Sequence, residues 1–400
     1  MNPIDLLTEA ERLLDAGRPE EALPLLSRAA RAAGSDRFFL ADVLFRRAEA
    51  LRALSRYEQA LMDYWEAHRL YRRCGVASER LRTLLGASAC LRVLSRYRQA
   101  DRMWRSVARL LPSPVARAAD PSSEEFQLEI ALVRRGLGDM AGATRLLRTA
   151  IPRLEKKKDS EALQHAWWSL AGAERFAGRY GEALKAFAKA DVLARKNGDP
   201  SAAAYAWCGM GGCLRILGRV GESLAFYRRA HAYFMRSKDR FGEAYGLCGM
   251  ANSLRTYGDP RKAIPLYRRS AALYEKVGDP GSRAFALWGL GGSHRRLGQY
   301  PEALEFYREA LRDFKKVGDT RGVLMALLGL GKTFGETARR DQAERFLSRA
   351  RVLAEKEKHP YEAALSRLEM ERVQGRPLTV ARFPPFGVKS TVVSSWKDLP

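Results

Sequence analysis

Arginine recurs at positions 52, 92, 135, 175, 215, 255 and 295, in steps of 40 residues broken once by a step of 43. A guanidinium is planar and always charged, and it grips a carboxylate or phosphate with two parallel hydrogen bonds. Arg52, Arg92, Arg135, Arg175, Arg215, Arg255 and Arg295 are therefore a candidate ladder for an extended acidic or phosphorylated segment. If successive members sit on successive packed helices, they lie roughly 10 Å apart. A second reading stays open: an arginine in the last turn of a helix offsets the helix dipole, bonds free carbonyls or pairs with an acid of the next repeat.

Ten residues before the arginine stand His165, Tyr205, Tyr245 and Phe285. Ten residues make nearly three helical turns, so these side chains share the arginine face. Three residues before the arginine the chain is small: Gly172, Gly212, Asn252 and Gly292. Aromatic, gap and arginine on one face suit an extended peptide. The competing reading packs the aromatics on the next helix.

Other chemistry is thin. Five histidines and five cysteines show no metal-ligand spacing, and no nucleophile–base pair or carboxylate pair stands out. The glycines of CGMGGCLRILG (208–218) and WGLGGSHRRLG (288–298) lie within helical sequence, whereas a phosphate loop follows a strand and opens a helix. No cofactor and no metal is expected, and the chain reads as a non-enzyme.

The arginines are positioned by a repeat. Eight residues after each comes a small residue, and the series runs Ala22, Ala60, Ala100, Ala143, Ala183, Ser223, Ala263, Ala303 and Ala343. It marks nine repeats over about residues 4–359. Each reads as two helices. In the eighth, the first runs from about Pro280 to Leu297 and Gly298 ends it. Pro301 suits the first turn of the second, where Ala303, Leu304, Tyr307, Ala310, Leu311 and Phe314 form an apolar stripe at helical spacing. No stretch alternates with period two, so strands are not expected.

With Leu287, Leu290, Gly291, His294, Gly298, Tyr300, Ala303, Tyr307 and Ala310 in its slots, this pattern resembles the tetratricopeptide repeat in a 40-residue form. Repeats five to nine fit best, and repeats one to four lose much of the Leu-Gly signature. The resemblance implies an all-α, right-handed superhelical solenoid whose first helices line a concave groove. The expected organisation is repeats one to three over 1–110, a proline-rich loop or hinge at 111–122, and repeats four to nine over 123–359. A capping helix at 360–375 and a non-helical tail at 376–400 complete it.

Composition agrees with a soluble interaction protein. The 400 residues are 46% apolar, enough for a core, and carry 70 basic against 46 acidic residues, a net charge of +24. Only 16 of the 70 are lysine. No apolar run reaches the roughly 18 residues of a membrane helix, no secretory signal is expected at the start, and the sparse cysteines suit the reducing cytoplasm. The expected partner is a protein bound through an acidic linear segment. Single-stranded nucleic acid is the alternative, since arginine interleaved with aromatics also suits it. A further alternative is a peptide-sensing regulator autoinhibited by its tail, where Phe383, Pro384, Pro385, Phe386 and Trp396 could dock.

Overall fold

The structure, a computed structural model, describes residues 2–94, 96–110, 124–357 and 359–376. The expected hinge at 111–122, and the tail beyond residue 376, lie outside them. Among the described residues there are 19 helices and no strand. They divide into two compact units, one ending at Ala177 and the other starting at Gly178.

The first unit holds α1 (Pro3–Asp15), α2 (Pro19–Ala32), α3 (Arg37–Ala53), α4 (Tyr57–Arg73), α5 (Ala77–Val93), α6 (Tyr97–Leu110), α7 (Glu124–Gly136), α8 (Met140–Lys157) and α9 (Ser160–Phe176). The second holds α10 (Tyr180–Lys196), α11 (Pro200–Ile216), α12 (Val220–Ser237), α13 (Arg240–Tyr257), α14 (Pro260–Lys276), α15 (Pro280–Arg296), α16 (Tyr300–Val317), α17 (Thr320–Glu336), α18 (Arg340–Lys356) and α19 (Pro360–Val373). Within each unit every helix packs on the next in sequence, as expected of stacked hairpins. None of the helices is long and apolar enough to cross a membrane.

The helix ends follow the punctuation in the sequence. Asp279 caps α15 by accepting from the Ser282 amide at 2.9 Å, with Pro280 in the first turn. Gly298 and Gly318 close α15 and α16 in the left-handed region at φ 72°. Asp159, Asp199, Asp239 and Asp319 repeat the same cap.

All nine small marker residues, from Ala22 to Ala343, are 0% exposed. Four residues further on, each second helix buries a large side chain: Leu26, Tyr64, Trp104, Leu147, Phe187, Tyr227, Tyr267, Tyr307 and Leu347. In the regular repeats this residue wedges against a glycine in the first helix of the following repeat. A Cβ at Gly86, Gly209, Gly249, Gly289 or Gly329 would stand 2.0–2.5 Å from the ring of Tyr64, Phe187, Tyr227, Tyr267 or Tyr307. Only glycine admits an aromatic face so close to a helix backbone. The tempting glycine runs at 208–218 and 288–298 thus have a packing role.

Helix α19 covers α17 and α18. It buries Ala363 and Leu365, and its acids pair with α17 through Arg321–Glu362 at 3.2 Å and Lys332–Glu369 at 3.4 Å. The Lys332 ammonium is held below its ordinary pKa, chiefly by desolvation, with Glu369 opposing.

In a helix interior Gly→Ala normally stabilises. At Gly289 the buried Tyr267 ring stands 2.3 Å from the added carbon, so Gly289→Ala should lower the unfolding free energy by about 1–3 kcal/mol. Gly221→Ala on α12, where nothing lies within 4 Å, should raise it by about 0.5 kcal/mol. Urea unfolding of the two variants checks the opposite signs.

Candidate functional site

The arginine column stands in the last turns of the odd-numbered helices, four members in the first unit and three in the second. Its members have different partners. Arg52 pairs with Glu49 of its own helix at 2.6 Å. Arg92 reaches across to Glu129 of α7 at 3.3 Å, and Glu129 also accepts from Ser88 at 2.9 Å. Arg295 reaches across to Glu336 of α17 at 2.5 Å. Arg135 instead lies over the Trp168 ring at 5.6 Å, Arg175 over Phe176 at 5.2 Å and Arg255 over Trp288 at 5.0 Å. Among the described residues no carboxylate pairs with Arg135, Arg215 or Arg255.

The small column has a distinct geometric role. A Cβ at Gly172 would meet Arg135 Nη1 at 2.7 Å, and one at Gly292 would meet Arg255 Cδ at 3.3 Å. The gap in each of these repeats is filled by the arginine of the repeat before. Carbonyl capping falls to another residue: Arg296 donates to the carbonyls of Arg255 and Thr256 in the last turn of α13.

The aromatic column rests on the second helices. Tyr205 packs at 4.8 Å from Phe234, and its hydroxyl donates to Asp239 at 2.9 Å. Phe285 stands edge-on to Phe314 at 4.7 Å and keeps 38% of its surface exposed. Tyr245 stacks on Phe241 at 6.4 Å. His165 is exposed, and its pKa is lowered by desolvation first and then by Arg92 and Arg135. Desolvation, then Arg92 and Arg175, likewise lower Arg135. In both, removal from water is the larger cause and the neighbouring arginines add to it.

In the second unit Arg255 is the best-ordered member. Its Nε donates to the Tyr267 hydroxyl at 3.1 Å, and that hydroxyl donates to Asn252 Oδ1 at 2.8 Å. The Asn252 amide reaches Cys248 Sγ at 3.6 Å. Arg215, one repeat earlier, has a buried Nε with no hydrogen-bond partner. Sequence reasoning missed the tyrosine. It is legible only as a fixed offset, twelve residues after the arginine, in Arg52/Tyr64, Arg215/Tyr227, Arg255/Tyr267 and Arg295/Tyr307.

Burial pushes the Cys90 and Cys248 thiols up to about 11 and raises Cys208 further, so none is a ready thiolate near neutral pH. No cluster of three possible metal ligands occurs among the described residues.

Two measurements follow from this geometry. Tyr267→Phe strands Arg255 Nε and Asn252 Oδ1 and should cost about 1–3 kcal/mol in urea unfolding. The pKa values of His68, His165 and His231 are all lowered, first by desolvation. An unfolded histidine titrates near 6.5, so between that pH and the lower folded values the unfolded chain binds more protons. Stability should therefore fall as pH drops from about 7 to 5, and His165→Gln should flatten that slope in pH-dependent melts.

Comparison with known proteins agrees with the architecture. Residues 202–276 and 282–356 match the tetratricopeptide repeat family. Among curated protein sequences none matches this chain. Among solved structures, the chain is similar to a Rap protein complexed with competence and sporulation factor, at TM-score 0.56 and 14% identity over 74% of this chain and 82% of that one. It is also similar to NprR in complex with its cognate peptide NprX, at TM-score 0.54 and 13% identity over 74% and 85%. A third is a signal transduction ATPase with a tetratricopeptide repeat sensor from Pyrococcus horikoshii, at TM-score 0.53 and 17% identity over 84% of this chain and 50% of that protein. At these identities the likeness is one of fold. Together with the 40-residue period and the hairpin stack, it gives the chain the fold of a tetratricopeptide-repeat-like solenoid, with residues 202–276 and 282–356 matching the family itself.

Proposed function

We propose that this chain is a non-catalytic interaction scaffold. Its first helices bind an extended acidic or phosphorylated segment of another protein along the arginine column, beside His165, Tyr205, Tyr245, Phe285 and Asn252. The observation that carries the reading is that Arg135, Arg215 and Arg255 have no acid among the described residues to neutralise them, while Trp168 lies beside Arg135 and Tyr267 and Trp288 hold Arg255. An ion-pair role accounts for Arg52, Arg92 and Arg295, and leaves these three over. Two of the structurally similar proteins were solved with a peptide or factor bound, which supports a peptide over a small metabolite.

Nucleic acid is the second reading, favoured by the charge of +24 and by Arg229 lying 3.9 Å over the Trp207 ring. The two part on salt: a phosphate-backbone binder would hold generic single strands at about 50 mM salt and release them steeply as salt rises. The scaffold reading expects no such binding. It also expects Arg215→Ala with Arg255→Ala to weaken capture of the partner by about tenfold or more, with the melting temperature unchanged or higher. A double variant that captures the same partner undiminished returns the column to a purely structural role.

A further inference from the structure

Within the second unit, first helices touch first helices: α11 lies on α13, α13 on α15 and α15 on α17. The second helices α10, α12 and α14 make no comparable contact with one another. A stack crowded on one side and spread on the other is curved, and its second helices face the wider, outer side. That outer side is charged. Helices α10, α12 and α14 together hold 12 basic residues against 4 acidic ones, a third of the chain's net charge of +24. All 12 basic residues are exposed. The first helices between them, α11 and α13, hold only 3 basic residues and 1 acidic, so the excess belongs to the outer face and not to the groove side.

The local acids do not answer this charge. Glu182 and Glu222 stand in first turns, where they pair with Lys185 at 3.1 Å and Arg219 at 2.6 Å. Asp191 is 7% exposed and is taken by the Trp207 indole at 2.9 Å and by Arg195 at 3.1 Å. Glu275 remains exposed, next to Lys276 in the chain. Arg269 is drawn to Glu243 of α13 at 2.5 Å. Among the described residues no acid pairs with Lys196, Arg228, Arg236, Arg268 or Lys276. Spacing turns the excess into an array. Six and thirteen residues after each marker residue stand Lys189 and Lys196, Arg229 and Arg236, and Arg269 and Lys276. Seven residues make about two turns and about 10 Å of helix, so each pair lies on one stripe. Between its members sits a small or aliphatic residue: Val192, Ala232 or Ala272. On α16 the first of these slots becomes Glu309, which is committed to Arg283, and the stripe ends there.

An array of cations spread over three helices matches a surface of anions better than a single acidic group. Two observations say which surface. Aliphatic side chains stand out among the cations, with Val192 57%, Met235 49% and Val277 37% exposed. No aromatic residue of the three helices is exposed, so unpaired bases would find nothing to stack on. Aliphatic tips among lysine and arginine suit a lipid surface. The tips enter the boundary between headgroups and acyl chains while the cations stay at the level of the lipid phosphates and carboxylates. We propose that the outer faces of α10, α12 and α14 dock on the surface of an anionic phospholipid bilayer, without crossing it, and leave the first helices turned towards water. The proposal is independent of the scaffold reading, because it uses the opposite side of the stack.

The test floats the full chain with vesicles of equal parts phosphatidylcholine and phosphatidylserine, and with vesicles of phosphatidylcholine alone. The expected result is binding to the mixed vesicles and not to the neutral ones, weakening as salt is raised. Arg228→Glu with Arg268→Glu should lose about tenfold or more in affinity for the mixed vesicles. Arg312→Glu with Lys316→Glu makes the same change of charge on α16, outside the array, and should bind within about twofold of the parent. Val192→Asn with Met235→Gln should lose about threefold or more, since the cations are kept and the aliphatic tips removed. Where the glutamate pair unsettles the fold in thermal melts, Arg228→Gln with Arg268→Gln repeats the measurement. No binding to the mixed vesicles, or undiminished binding by the α12 and α14 variants, overturns the proposal and leaves the scaffold reading untouched. Loss of vesicle binding in Arg215→Ala with Arg255→Ala would give the lipid to the groove and overturn it too. Release from the vesicles by an equimolar DNA duplex, with Val192→Asn and Met235→Gln without effect, would assign the array to a nucleic-acid backbone instead.

Discussion

The structure depends on one recurring contact, an aromatic ring pressed against a helix backbone at a glycine. Tyr227, Tyr267 and Tyr307 sit so close to Gly249, Gly289 and Gly329 that a single added carbon would overlap the ring. The same rings also approach the preceding first helix: a Cβ at Gly211 or Gly291 would stand 2.8–2.9 Å from Tyr227 or Tyr307. One side chain therefore fixes both the spacing within a hairpin and the spacing to the next. Such contacts reach only nearest neighbours, so stability accumulates repeat by repeat rather than around a single centre.

That contact also bears on the arginine column. The ring of Tyr267 belongs to the core, and its hydroxyl holds Arg255 and Asn252. In the second repeat the same offset leads from the Tyr64 hydroxyl to Glu49 and on to Arg52. In these two repeats a core tyrosine thus also takes part in holding the arginine, directly at Arg255 and through Glu49 at Arg52. The first and ninth repeats have neither. Their wedges are Leu26 and Leu347, and their arginine slots hold Leu14 and Gly335, whereas Arg92, Arg135 and Arg175 are matched with Trp104, Leu147 and Phe187, so the arginine does not require the hydroxyl.

Much of this was legible in the sequence, because it is periodic. The spacing of Ala22 to Ala343 located nine hairpins, and Gly298, Pro301 and Asp319 marked helix ends where the structure has them. The arginine column was visible for the same reason. Its internal differences were not. Whether Arg295 has an acid partner and Arg255 has none turns on side chains 37 and 41 residues away, brought into reach only by the stacking of one first helix on the next. The reading of Gly172 and Gly292 as open space failed to foresee that the preceding arginine lies there, since nothing local in the sequence gives the direction of a long side chain. The division after Ala177 likewise had no punctuation of its own, because the step from Ala143 to Ala183 is 40 residues like those that follow it.

Helix α19 has a consequence for how the array ends. A stack built from ring-on-glycine contacts is open by nature, since its last first-helix offers the same glycine face to any newcomer. Here that face is occupied. Val373 stands over Gly335, and Glu362 and Glu369 take up Arg321 and Lys332. Helix α19 thus supplies the greasy contact and the countercharge that the first helix of another repeat would bring.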